Sequence, residues 1–407
     1  HRGRTQPQPH HAGRDNAGQG RPSPIRRIPT RSPVSGSSTH SGPAGGDCTR
    51  DGRPAPGSHG SHAAHYSFDC RARAHHHPGD RAPTDYENRS EPPVTSSVSA
   101  DSCQEARFRA MGCGVHVVAV GGPCGLAAQA QRQIGYLESI WSRFRPGSDI
   151  ARANSAAGQA IVVSPLTLTL VTRAVEGWRR TAGRFDPTVL TALEAMGYDR
   201  SFERVASSVH PPRATGPSPG CEGIIVDRVA STLTIPLGVR FDAGGIGKGL
   251  AADLVTRALV KTGASGACVN LGGDMRVIGH APTSDGWTIG LEDPYDQEQE
   301  LARAVITDAG VATSSRTYRT WERAGAQVHH LIDPATGASA WTDLASVTVV
   351  AATAWWAEVL AKVAFLAGPV EGADLITGSG ASGVLVDDGG FAHPIGGGTW
   401  EMAPCWR

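Results

Sequence analysis

Not one leucine, methionine, tryptophan or lysine occurs in residues 1–100. The only branched aliphatic residues there are Ile25, Ile28, Val34, Val94 and Val98. Such a stretch cannot bury enough apolar surface to offset the entropy of ordering. Residues 1–103 are therefore expected to form a disordered low-complexity tail, and the fold must come from the rest. The tail starts at His1 and is read as foreign or incomplete at its beginning. It holds 10 of the 16 histidines, with runs at His10-His11 and His75-His76-His77. Such runs can bind metal, but a solvated tail is the expected state.

The 407 residues suffice for one large domain or two ordinary ones. Formal net charge is zero, so no nucleic-acid footprint is expected. No apolar run is long enough to span a bilayer, and no signal peptide is read at the start. Eight cysteines at 48, 70, 103, 113, 124, 221, 268 and 405 form no CxxC pair. That tells against a structural zinc site and leaves one or two disulfides open. Lysine is scarce: Lys248, Lys261 and Lys362 stand against 35 arginines. Each retained lysine is a pointer to a place needing a compact ammonium.

Folding signals begin near residue 104. Val115–Val120 predicts a strand. Leu126, Ala130, Ile134, Leu137 and Trp141 have helical spacing. Ser164-Pro165 predicts a helix start, with a serine cap and proline at the first helical position. Residues 205–223 predict a loop. Ile224–Val226 and Thr232–Ile235 predict a hairpin. Ala267–Asn270, Trp287–Leu291, Ala304–Ile306, Val347–Ala351 and Gly383–Val386 predict strands, and Ala357–Leu366 a helix. This mixture, with hairpin-like pairs, favours an α+β fold over a doubly wound parallel sheet.

Phe241-Asp242-Ala243-Gly244-Gly245-Ile246-Gly247-Lys248-Gly249 precedes an apolar helix. Glycines let a ligand approach the backbone, and a helix N-terminus offers free N–H groups to an anion. Lysine adds a point charge for phosphate. The spacing fits neither a Walker loop nor a dinucleotide fingerprint. Alone, the segment could equally be a structural turn.

Other motifs stand around it in a fixed order. Met111-Gly112-Cys113 opens a strand, Ser142-Arg143-Phe144-Arg145 ends a helix, and Phe185-Asp186-Pro187-Thr188 follows the next one. Asn270-Leu271-Gly272-Gly273-Asp274, Val311-Ala312-Thr313-Ser314, His329-His330-Leu331-Ile332-Asp333-Pro334 and Ser346-Val347-Thr348-Val349 come later. As a set, over about residues 104–400, they resemble the ApbE family of FAD:protein FMN transferases.

The resemblance implies a mixed α/β flavin transferase domain with FAD bound between two lobes. It implies transfer of FMN to a threonine or serine hydroxyl of an acceptor protein, with release of AMP, and the use of magnesium. By motif position, Met111, Phe144, Phe185, Asp186, Pro187, Asp242, Lys248 and Ile332 should line the FAD site. His330 and Asp333 should be catalytic, and Gly245 and Glu358 should lie at the metal. The residues themselves leave alternatives open. Phe144 and Phe185 could be core, one of His329 and His330 structural, and Asp186 and Asp333 formers of Asx turns. Gly272-Gly273-Asp274 is expected to be a tight turn under the ligand.

The chain departs from the family at three places. Cys113 stands where the family usually has threonine, and Thr313-Ser314-Ser315 lacks its usual glycine. Lys362 replaces the usual metal-side threonine hydroxyl. The expectation is that Lys362 turns outward and leaves Glu358 and the Gly245 backbone with a weakened magnesium; the alternative puts its ammonium where the metal would be. Two rival activities remain: an FAD pyrophosphatase giving FMN and AMP, and a non-catalytic flavin-binding or delivery protein. Because the tail lacks core-forming residues, cutting the chain before Asp101 should leave the melting temperature and FAD affinity nearly unchanged. A large loss of either would mean that the tail docks on the domain.

Overall fold

The structure is a computed structural model that describes residues 102–282, 286–397 and 400–403; the expected tail therefore lies almost wholly outside the described residues. Strand β2 (Cys113–Val120) explains the architecture. Its Val115, Val117 and Ala119 enter one apolar cluster, while Val118 and Val120 enter another. A strand buried on both faces must be sandwiched between two layers, which is why it reads as a nearly unbroken apolar run.

Among the described residues, eight strands make the central sheet. With β2 they are β1 (Cys103–Ala110), β3 (Gly266–Leu271), β4 (Asp274–Gly279), β5 (Asp308–Ser315), β6 (Leu344–Ala351), β7 (Ser382–Asp387) and β8 (Ala392–Ile395). They lie side by side in chain order, and every neighbouring pair is antiparallel. An all-antiparallel sheet with its helices inserted between strands is the expected α+β class.

The helices are α1 (Leu126–Trp141), α2 (Asp149–Ser155), α3 (Pro165–Arg180), α4 (Leu190–Ala195), α5 (Gly247–Lys261), α6 (Ala354–Ala367) and α7 (Pro369–Gly378). The five apolar residues that predicted α1 are all buried along one side of it. α3 starts as predicted: the Ser164 hydroxyl accepts the Leu166 N–H at 3.2 Å, with proline at the first turn. α1, α5 and α6 cover one face of the sheet. The other face carries a small sheet of Trp287–Glu292, Glu300–Ile306 and Trp400–Met402. There, Trp287 and Ile289 pack with Val118, Cys268, Val277 and Val311. The predicted hairpin forms from Ile225–Asp227 and Thr232–Thr234. Cys113, Cys124, Cys221 and Cys268 are free thiols.

α5 and α6 are locked together at the N-terminus of α6. The fully buried Asp253 carboxylate on α5 accepts the N–H groups of Ala354 and Trp355, each at 3.0 Å. This is a cap supplied by another helix, and it satisfies donors that Thr353 leaves unmet. The approach is tight enough to require glycine: a Cβ on Gly310 would lie 2.1 Å from the Ala354 nitrogen. Gly310→Ala should therefore cost at least about 1–3 kcal/mol through forced backbone movement. A urea titration checks this; an unchanged midpoint would mean that the helix can shift at no cost.

A smaller apolar cluster, with Leu193, Met196, Tyr198, Trp321, Val328 and Ile332, stands apart from the main core. A cleft opens between the two.

Candidate active site

Two hairpin turns at one end of the sheet line the clefts. Met111 and Gly112 join β1 to β2, and Gly272 and Gly273 join β3 to β4. All four have positive φ, between 51° and 98°, the hairpin geometry that matches strand twist. The turns are neighbours, since Val115 pairs with Leu271 and the Gly272 N–H donates to Gly114 O at 3.0 Å. A Cβ on Gly272 would lie 2.7 Å from that of Cys113. Met111 accepts a left-handed conformation that L residues rarely adopt, and it does so at the cleft wall.

The cleft above has a volume of about 650 Å³. Phe144, Phe185, Asp186 and Pro187 line it together with Asp242, Gly245, Lys248, His330 and Ile332. Phe185 is nearly buried and packs beside Gly245, while Phe144 is 39% exposed and offers a ring face. Asp186 is a turn former at the wall: its Oδ1 accepts the Thr188 N–H at 2.8 Å and hydroxyl at 2.6 Å. Burial pushes its carboxyl up from the usual range, and those hydrogen bonds oppose the shift. The Asp242 N–H donates to Pro187 O at 2.7 Å, which ties the two motifs together.

Lys248 lies in the first turn of α5, where its charge opposes the helix dipole. It is held there by an ion pair with the buried Asp274 of the Gly-Gly-Asp turn. Burial alone would lower the Lys248 pKa, but the Asp274 and Glu358 carboxylates outweigh it and raise the value.

The two adjacent histidines face different surroundings. His329 is 1% exposed, packs edge-on against Phe365 and Trp341, and is pushed down to about 4 by burial. It is a core residue. His330 lines the cleft. Burial, with the Arg319 and Lys362 cations close by, holds its pKa well below 6.5, so it is a neutral imidazole near neutral pH. Asp333, expected from its motif position to be catalytic, stands three residues after His330. It is absent from the cleft lining, and its carboxylate accepts the Ala335 N–H at 2.9 Å and the Thr336 hydroxyl at 3.0 Å. An acid before proline is needed to shape this turn, which presents Ile332 and His330.

A second cleft, of about 880 Å³, opens toward Thr313, Ser314, Tyr318 and Gln327. Cys113, Lys248, Arg319, His330 and Lys362 line both clefts. Arg109 and Glu203, paired at 3.0 Å, also line both, so the junction between the clefts holds four cations, one carboxylate and one neutral imidazole.

Sequence reasoning missed several of these groups. Arg319 donates to Gly112 O and to the Tyr198 hydroxyl, both at 3.4 Å, and neither partner is a carboxylate. Arg143 lies 4.2 Å from the Phe144 ring centroid and 4.7 Å from that of Tyr198, and its Nε is 3.4 Å from Asp242. Arg143 lies within the Ser142-Arg143-Phe144-Arg145 motif, a signal that points to it. Arg319 and Tyr198 lie in connections with no periodic signal.

The residues do not fit a magnesium site. Glu358 is buried at the N-terminus of α5, where its Oε2 accepts the Gly249 N–H at 2.9 Å and its Oε1 faces the Lys362 ammonium at 3.3 Å. Burial raises the Glu358 pKa, and Lys362 opposes that rise. Lys362 does not turn outward as expected: a Cβ on Gly245 would lie 3.4 Å from its Cε. Magnesium needs converging oxygens and excludes a neighbouring ammonium. Among the described residues no cluster of three or more His, Cys, Asp or Glu could hold a metal.

Comparison with known proteins gives one consistent result. The ApbE family model matches residues 111–385. An FAD:protein FMN transferase of Treponema pallidum is 30% identical over 251 residues, covering 57% of this chain and 68% of that protein. One from Rhodobacter capsulatus is 28% identical over 62% of this chain, which spans about half (49%) of that relative's length. The crystal structure of the Thermotoga maritima ApbE protein superposes with a TM-score of 0.65 at 25% identity, covering 72% of this chain and 97% of that one. The apo flavinyl transferase ApbE of Pseudomonas stutzeri, 24% identical over 72% of this chain and 95% of its own, shares the fold with a TM-score of 0.61. The matched region exceeds half the chain and carries every motif of the cleft: the protein belongs to the ApbE family.

Proposed function

We propose that this chain transfers FMN from FAD to a threonine or serine hydroxyl of an acceptor protein and releases AMP. One observation carries the reading. A neutral imidazole stands among four cations, Arg109, Lys248, Arg319 and Lys362, where two clefts meet. A phosphoryl-type transfer between two large substrates needs positioning and charge neutralisation above all.

The roles follow from the surroundings. Phe144, with Arg143 against its ring, offers a face for a flat ring system. Lys248 and Arg319 offset the charge of a diphosphate at the junction. The second cleft admits the acceptor segment. The acceptor oxygen bonds to the FMN-side phosphorus, and the bond from that phosphorus to the bridging oxygen breaks. The bridging oxygen leaves with AMP, and the hydroxyl proton passes to the His330 imidazole. Nothing among the described residues bonds His330 Nδ1, so no protein group competes for that nitrogen.

The test is AMP release from FAD, followed by chromatography with and without an acceptor domain. Release that requires the acceptor is expected. Equal release without it would mean that water is the nucleophile and the chain is an FAD pyrophosphatase. FAD binding with no release in either case would indicate a delivery protein.

A further inference from the structure

We infer that the Lys362 ammonium takes the place of a divalent cation at the FAD diphosphate, so that flavin binding and transfer by this chain do not require magnesium. The inference rests on the proposed function in taking FAD as the ligand.

Three observations carry it. First, Lys362 points inward. It lies beside Gly245 and lines both clefts, 3.3 Å from the buried Glu358 carboxylate. Glu358 fixes the ammonium in position, as an i, i+4 pair on α6 with the acid first allows. Second, the carboxylates around the junction are committed. Glu358 takes the Gly249 N–H and Lys362, and Asp274 takes Lys248. A hard cation would have to displace an ammonium from one of them. Third, the charges at the junction leave a positive surplus for a diphosphate. Lys248, Lys362, Arg109 and Arg319 outnumber Asp274, Glu203 and Glu358 by one, and among the described residues Arg319 bonds only neutral groups. A chain with three lysines in all places two of them here. Ammonium and guanidinium groups neutralise phosphate by charge-assisted hydrogen bonds, with no metal needed for the purpose.

The experiment is an FAD titration by flavin fluorescence on the full chain, first in excess chelator and then in millimolar magnesium. The wild-type dissociation constant is expected to change by less than about twofold, because its cation is covalently attached. Lys362→Thr, which restores an oxygen donor beside Glu358, should bind FAD about tenfold more weakly in chelator and recover with magnesium. Wild-type affinity that improves about tenfold or more on adding magnesium would overturn the inference, whatever the variant does. Acceptor labelling is followed separately in the same two buffers. Magnesium-independent FAD binding with no labelling in either buffer would leave the binding part of this inference standing and refute the transferase reading, while labelling that needs magnesium would overturn the inference. No FAD binding in either buffer would refute both.

Discussion

Replacing His330 with alanine is expected to slow flavin transfer by about 10²–10⁴-fold, the range for losing a positioned general base, while FAD affinity stays close to that of the parent. The side chain stands where the two clefts meet, and its imidazole is neutral. Its contribution is therefore felt when the acceptor proton moves, not when FAD docks. A loss shared equally between rate and binding would mark it as structural. The pH profile gives an independent reading. Burial and the neighbouring cations depress the His330 pKa well below 6.5. The base form then persists as the pH falls through 6.5, and the acid limb of kcat/KM, which reports the free enzyme, should lie below that point. An inflection near 6.5 that disappears in His330→Ala would contradict the assigned environment.

Lys248→Ala is expected to do two separable things. It removes a charge-assisted contact to the FAD diphosphate, worth about 1–3 kcal/mol of binding. It also strands the Asp274 carboxylate, which is 1% exposed; breaking a buried pair by removing one member costs about 3–5 kcal/mol of stability. The double variant Lys248→Met with Asp274→Asn removes the stranded charge. It should recover much of the stability and none of the FAD affinity. Recovery of both would show that Lys248 serves only the fold. Denaturant midpoints and flavin-fluorescence titrations read the two quantities on the same samples.

The fold was legible where one rule dominated. α1, α5 and α6 follow helical spacing over several turns, and β2, β3 and β6 are apolar runs ending in turn residues. The short α2 and α4 have too few turns to show a period. β4 was hidden because Arg276 interrupts it; the guanidinium is buried only because Asp253 and Asp308 pair with it from distant segments.

The cleft was legible through motif order, because glycines and prolines mark turns that tertiary structure then brings together. Asp333 shows the limit of that reasoning. An acid before proline looks the same in sequence whether it performs chemistry or shapes a turn. The Ala335 and Thr336 contacts show that Asp333 shapes its turn. Lys362 shows the converse. Its helical spacing from Glu358 was visible, but which way it turned depended on Gly245, more than a hundred residues away.

The most direct test of the central claim is the intact mass of an acceptor domain after incubation with FAD and this chain. The account predicts a gain equal to one FMN less one water, matched mole for mole by AMP and abolished when the acceptor hydroxyl is replaced by a methyl group in a Thr→Val variant or by hydrogen in a Ser→Ala variant. An unmodified acceptor in a reaction that has nonetheless consumed FAD would contradict it.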